Sequence, residues 1–134
     1  MTGLNYSMTD KKLLIAIDGP AGVGKTSVGK ALALKHGLGF LSTGIMYRCL
    51  GWKALKNGVD LQDEEAVFKI AKDIIWGFEK EEDSNLKVLV DGQFLGDALL
   101  SEEVARAASI TSACRRPFAF LMSLRVGCIA TICL

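Results

Sequence analysis

The chain has 134 residues, half of them hydrophobic, and a formal net charge of +1. This length allows one domain with a packed core, and the balanced charge argues against a basic surface for nucleic acid. The four cysteines (Cys49, Cys114, Cys128 and Cys133) form no C-x-x-C pair, which argues against a cysteine metal site and favours free thiols in a cytoplasmic protein.

The first elements predicted along the chain are a strand and a helix. Met1–Lys12 lacks the apolar segment of a signal peptide, and we expect a short, loosely ordered lead-in. The apolar run Leu13–Ile17 predicts a buried parallel strand, because both faces of such a strand are covered. A helix is predicted over Lys25–His36, with Gly37 as its stop signal.

A complete G-x-x-x-x-G-K-[ST] phosphate-binding loop lies between this strand and this helix. Glycine lets the backbone turn tightly, and clustered N–H groups at a helix N-terminus attract an anion. Lys25 can reach the β- and γ-phosphates of ATP, and the Thr26 hydroxyl can bind Mg²⁺. Lys25 is also predicted to be catalytic, and Thr26 to be the metal ligand. The full set of predicted ATP-binding residues is Gly19, Pro20, Ala21, Gly22, Val23, Gly24, Lys25, Thr26 and Ser27.

Two more helices are predicted after a short second strand at Gly39–Leu41. The first begins at Ser42 or Thr43, either of which is a natural N-cap, and ends near the stop signal Asn57-Gly58. The second is predicted over Gln62–Ile74, where apolar residues recur at helical spacing.

The next segment is predicted to form short antiparallel strands. Asp91-Gly92 is a strong signal for a tight hairpin, and the charged run Glu79–Asp83 is interpreted as a solvated loop rather than a metal site. A further helix is predicted from Ser101, as N-cap, to about Ser112. The predicted strands are Ile74–Phe78, Leu86–Val90 and Gln93–Leu95.

Three segments together resemble the cytidylate kinase family of bacterial P-loop nucleoside monophosphate kinases. The first is the phosphate loop at Ile17–Ser27. The second, Ser42–Arg48, is similar to the family motif D-[ST]-G-x-x-Y-R. The third, Glu103–Ser109, follows the short-strand insert and matches E-V-x-x-A-A-S. The resemblance implies an α/β fold: an incomplete P-loop kinase-like parallel sheet with helices on both faces, and a small antiparallel β insert. It implies a kinase core over residues 13–113, with a monophosphate-binding insert at about 58–100, and an atypical tail over 114–134.

The resemblance also implies an activity, which is transfer of the γ-phosphoryl group of ATP to CMP or dCMP, with Mg²⁺, in pyrimidine nucleotide metabolism. It implies substrate binding by Thr43 and Arg48, on the monophosphate, and by Ser109, on the cytosine side. The planar fork of an arginine suits a phosphate. Two alternatives remain: a nucleotide-binding fragment without turnover, and another small-molecule P-loop kinase such as shikimate kinase.

The chain departs from the family pattern at single positions and in its tail. Ser42 stands where the family usually has Asp, and Leu100 where it usually has Arg. After about Ala113, Cys114–Pro117 replaces the expected helix entry and Phe118–Leu134 resembles nothing in the family, which suggests a truncated or frameshifted product. We therefore expect little turnover from this chain, because the arginine-rich lid and the later strands of the family are missing from it.

The tail is apolar and invites comparison with a membrane anchor. Phe118–Leu134 is shorter than the roughly 20 apolar residues that a span needs, and Arg125 interrupts it. We expect a buried helix or strand, or a disordered segment, and a cytoplasmic protein whose partners are small nucleotides.

Overall fold

The computed structural model describes residues 14–19, 25–83, 85–122 and 128–133. The described residues divide into two compact units, the first within Met1–Thr43, Phe78–Lys87 and Arg125–Leu134, the second within Gly44–Gly77 and Val88–Leu124. In chain order the elements are β1 (Leu14–Gly19), α1 (Lys25–His36), β2 (Gly39–Ser42), α2 (Thr43–Lys56), α3 (Glu64–Asp73), β3 (Trp76–Lys80), β4 (Leu86–Val90), β5 (Gln93–Phe94), a 3₁₀ helix (Gly96–Leu100), α4 (Glu102–Thr111), α5 (Arg115–Met122) and β6 (Cys128–Cys133).

A parallel sheet of three strands, in the order β1-β6-β2, forms the centre of the first unit. Ala130 in β6 is paired with Ala16 in β1 and with Leu41 in β2, so the strand from the tail lies between the two N-terminal strands. Helix α1 packs on all three strands, as a crossover between parallel strands requires. The predicted strands are confirmed, but the place of β6 was not foreseen.

Two helix ends are set by glycines, as predicted. Gly37 after α1 and Gly58 after α2 both have φ of 68°, in the left-handed region that favours glycine. The residue after each glycine donates its N–H to the carbonyl five residues earlier, at 2.9 and 3.0 Å. Together with the bonds from the glycines themselves, this is the Schellman arrangement, which satisfies carbonyls that a helix end leaves without a partner.

Helices α2 and α4 lie in close contact in the second unit. A Cβ added at Gly51 of α2 would lie 2.9 Å from the Cβ of Ala107 in α4 and 3.1 Å from the backbone nitrogen of Ala108. The close approach of the two helix backbones therefore leaves room only for small residues, glycine at position 51 and alanine at position 107. Ser101 caps α4 as predicted, because its Oγ accepts the N–H of Val104 at 3.1 Å.

The predicted hairpin is confirmed by its backbone geometry. Asp91 and Gly92 have φ of 52° and 81°, as a two-residue turn with both central residues left-handed requires, and β4 and β5 pair antiparallel. The Asp91 carboxylate accepts the N–H of Ile75 and the Nζ of Lys53, each at 2.9 Å. These two contacts lower the pKa of Asp91, with the backbone N–H as the larger cause. Strand β3 extends to Lys80, so the predicted solvated loop begins two residues later than expected.

The tail contains a helix and a strand, which is one of the outcomes expected for it: α5 begins at Arg115, and β6 follows at Cys128–Cys133. The Glu64 carboxylate on α3 accepts the backbone N–H groups of Arg115 and Arg116 at 3.1 and 3.3 Å, and so caps the new helix from another element. Pro117 is tolerated as the third residue of the helix, where its missing N–H would have no helical partner. The Arg116 guanidinium pairs with Glu65.

Within the ranges described above, no helix combines the length and apolar character that crossing a membrane needs. Cys49 and Cys114 are free thiols in the same ranges, the former fully buried. The predicted lead-in at Met1–Lys12 lies outside the described residues.

Candidate nucleotide-binding site

Strands β1 and β2 end at the same edge of the parallel sheet. Strand β1 leads into the predicted phosphate loop, and β2 leads into the predicted acceptor segment, Ser42–Arg48. Gly19, the last residue of β1, is paired with Cys133, and Ser42, the last residue of β2, with Thr131. With β6 between them, the two ends lie two interstrand spacings apart across the sheet, roughly 10 Å. Gly19 also lies two residues farther along the strands than Ser42. The carboxyl edge of a parallel sheet is where open α/β folds bind ligands.

The segment after Gly19 has the strand–loop–helix order that a phosphate loop needs. Strand β1 ends at Gly19 and α1 begins at Lys25, and the five residues between them (Pro20, Ala21, Gly22, Val23 and Gly24) lie outside the described residues, as do the side chains of Lys25 and Thr26. Ser27 is exposed in the first turn of α1. The residue types in this segment, glycines followed by a lysine and a threonine, suit phosphates and Mg²⁺ chemically, and the binding of ATP and Mg²⁺ there stays a prediction.

Thr43 begins the helix that carries the predicted acceptor residues. It follows directly on β2 at the sheet edge, and its side chain is only 3% exposed. The helix begins at Thr43, directly after Ser42, the last residue of β2. Arg48 lies farther along the same helix, α2.

Arg48 is a partly buried cation whose guanidinium is bound to the backbone. Its Nη1 donates to the carbonyl oxygen of Leu99, in the 3₁₀ helix, at 2.7 Å. No carboxylate among the residues with described side chains lies within ion-pair distance of it. The positive charge at this position is therefore not neutralised by the part of the protein that the structure describes, which suits an anionic ligand.

Ser109 lies on α4, the helix that packs on α2 at Gly51. Its side chain is exposed, and its carbonyl accepts the Oγ of Ser112 at 3.0 Å. Two of the predicted substrate residues, Arg48 and Ser109, thus lie on two helices in direct contact within one unit. In the described part of the chain no hydrogen bond joins the Arg48 and Ser109 side chains, so any shared role depends on a ligand that both contact.

Two features of this region were missed in the sequence. The Leu99 carbonyl is the acceptor for Arg48, and a backbone group gives no sequence signal. Tyr47, the neighbour of Arg48, is 6% exposed, and its hydroxyl has no hydrogen-bond partner among the described residues. Burial raises the pKa of Tyr47 far above its usual range, and the nearby Cys114 raises it further. The motif Ser42–Arg48 contains Tyr47, but nothing in the sequence indicates that its hydroxyl is buried.

Comparison with known families identifies one match that covers most of the chain. The profile of the cytidylate kinase family matches residues 15–124. This range contains the phosphate loop, the acceptor segment, α4 and α5, and it includes the first part of the segment predicted to be an atypical tail.

Individual relatives agree with the family match. A bifunctional pantoate ligase/cytidylate kinase of Synechococcus sp. (strain CC9605) is 41% identical over 102 residues, which are 76% of this chain and 21% of that protein. Cytidylate kinases of Bacillus thuringiensis (strain Al Hakam) and Bacillus cereus (strain AH187) are each 36% identical over 103 residues, 77% of this chain and 45% of theirs. The chain thus matches somewhat less than half the length of the Bacillus proteins.

Proposed function

Since the chain belongs to the cytidylate kinase family, we propose that it binds ATP and Mg²⁺ and transfers the γ-phosphoryl group to CMP or dCMP, with the low turnover that the departure of its tail from the family pattern leads us to expect. The observation that carries this proposal is the shared carboxyl edge of the parallel sheet. The strand leading into the phosphate loop ends there at Gly19, and the strand leading into the acceptor segment ends there at Ser42. A transfer between two nucleotides requires both phosphate sites at one edge.

On the donor side, the proposal assigns the phosphates of ATP to Gly19–Ser27. The backbone N–H groups of the loop and of the first turn of α1 bind the phosphate oxygens, and Lys25 contacts the β- and γ-phosphates. Thr26 holds Mg²⁺, which neutralises charge on the phosphates when bound. The order of strand, loop and helix supports this assignment.

On the acceptor side, Arg48 binds the monophosphate through charge-assisted hydrogen bonds, and Thr43 stands at the start of the same helix. The absence of a described carboxylate beside Arg48 supports this role, because a neutralised guanidinium would have little attraction for a phosphate. Ser109 contacts the base side of the nucleotide. Phosphoryl transfer is catalysed mainly by such positioning and by charge stabilisation.

The donor assignment is tested by the change Lys25→Ala, with Lys35→Ala as the matched control. Lys35 is an exposed lysine in the last turn of the same helix, far from the phosphate loop. Titration calorimetry with MgATP should show sharply weaker binding to Lys25→Ala and ordinary binding to the control. Equal affinity of wild type and Lys25→Ala would refute the donor site.

The acceptor is tested by a coupled assay of ADP release with CMP, dCMP, AMP, GMP and shikimate. The proposal requires CMP and dCMP to be the best acceptors. Highest activity with shikimate or AMP would favour the alternative of another small-molecule kinase. Tight MgATP binding without turnover on any acceptor would favour a nucleotide-binding protein over an enzyme.

A further inference from the structure

Among the described residues, the guanidinium of Arg48 is bound at one nitrogen. Nη1 donates to the Leu99 carbonyl at 2.7 Å, and no other hydrogen bond of this side chain is recorded among the described residues. An arginine has five N–H donors in a rigid plane. A bond at Nη1 therefore restrains the guanidinium and uses neither Nε nor Nη2, the pair of donors that suits a bidentate anion.

The Leu99 carbonyl is itself fixed by its surroundings. It belongs to the last turn of the 3₁₀ helix Gly96–Leu100, where carbonyls lack helical partners and carry partial negative charge. Leu99 is buried, at 6% exposure, and two residues farther along the chain is Ser101, the cap of α4. The acceptor is therefore anchored by packing on one side and by a capped helix on the other.

We propose that the 3₁₀ helix Gly96–Leu100 is a positioning element for the monophosphate of the acceptor, acting through the bond from Arg48 to the Leu99 carbonyl. This inference rests on the proposed role of Arg48. The helix sets the guanidinium in one orientation before the ligand arrives, so less freedom is lost on binding. By linkage, a bound phosphate that fixes Arg48 must in turn stabilise the 3₁₀ helix.

Gly96 offers a way to disturb the helix without touching the proposed site. Its φ is 52°, which strains any residue with a side chain, and an added Cβ would lie 3.3 Å from the Phe94 ring. Gly92 is the matched control, since its φ is 81° and an added Cβ would meet nothing within 4 Å. The changes are Gly96→Ala and Gly92→Ala, each alone and combined with Arg48→Lys, which keeps the charge but loses the fork.

The measurement is the affinity of the full chain for CMP and for cytidine, which lacks the phosphate. Gly96→Ala should weaken CMP binding by about tenfold, the scale of one misplaced charge-assisted hydrogen bond, and leave cytidine binding unchanged. Gly92→Ala should change neither. In the Arg48→Lys background, Gly96→Ala should have no further effect on CMP, because the positioned group is already absent.

The outcomes separate this inference from the function on which it rests. If Arg48→Ala leaves CMP affinity unchanged, the proposed acceptor site is wrong and the positioning role falls with it. If Arg48→Ala weakens CMP but Gly96→Ala does not, the site stands and the positioning role is overturned.

Amide hydrogen exchange on the wild type gives a second measurement, which holds even if Gly96→Ala fails to fold. Exchange over residues 96–100 should slow with CMP and not with cytidine. Equal exchange with both ligands would overturn the inference.

Discussion

The contact between α2 and α4 makes a sharp prediction for the change Gly51→Ala. The new Cβ would lie 2.9 Å from the Cβ of Ala107 and 3.1 and 3.2 Å from backbone atoms of Ala108 and Ala107, whereas ordinary contacts of a Cβ are 3.4–4 Å. Backbone atoms of a packed helix cannot turn aside as the end of a long side chain can. The two helices must therefore separate or shift.

The expected size follows from two opposing terms. Alanine in place of glycine inside a helix gains about 1 kcal/mol from helix propensity. Overpacking of a close contact costs about 1–3 kcal/mol, and three short contacts, two of them to backbone, place this case at the upper end. We expect a net loss of about 1–2 kcal/mol in the free energy of unfolding.

Urea unfolding followed by circular dichroism measures this loss, and Ala107→Gly supplies a partner variant. Removal of the Ala107 methyl abolishes the shortest contact but leaves those to the backbone. The double variant Gly51→Ala/Ala107→Gly should thus be more stable than the sum of the single effects predicts. A Gly51→Ala protein at least as stable as the wild type would refute the reasoning, because helix propensity would then act unopposed.

Three further changes test other contacts. Tyr47→Phe should leave the free energy of unfolding unchanged or raise it by up to about 1 kcal/mol, since the change removes a buried hydroxyl that has no partner in the described part of the chain. A clear loss in thermal unfolding would reveal a partner. Glu64→Ala should lower the free energy of unfolding by about 1–2 kcal/mol, because a helix cap is lost. Glu65→Ala, which loses an exposed ion pair, should lower it by about 1 kcal/mol or less. Equal losses in urea unfolding would contradict the capping role. Asp91→Asn tests pH dependence. Because the pKa of Asp91 is lower in the folded than in the unfolded protein, the ionised carboxylate stabilises the fold at pH values above its unfolded pKa of about 3.9. This stabilisation is lost as the pH falls through the folded pKa. The melting temperature of this variant should lie below that of the wild type at neutral pH and converge with it as the pH falls below the folded pKa of Asp91. A difference that is constant with pH would exclude this carboxylate as the cause.

Sequence alone determined the features whose physical cause lies between near neighbours in the chain. Gly37 and Gly58 end helices because a left-handed residue there closes bonds to the turn just before it. Asp91-Gly92 makes its hairpin for the same local reason, and Ser101 caps the N–H of a residue three positions later. The resemblance to the family came from motifs of this kind and is confirmed by the family match. The roles of the phosphate loop and of Arg48 stay predictions.

Tertiary structure decided everything that depends on residues far apart in sequence. No local pattern places β6 between β1 and β2, because pairing of parallel strands depends on the crossover and not on the strand itself. Helix α5 begins where it does because Glu64, from another helix, accepts its first N–H groups. Arg48 is oriented by the Leu99 carbonyl, 51 positions away. A backbone oxygen is the same atom in every residue, so only the fold determines which one a side chain meets.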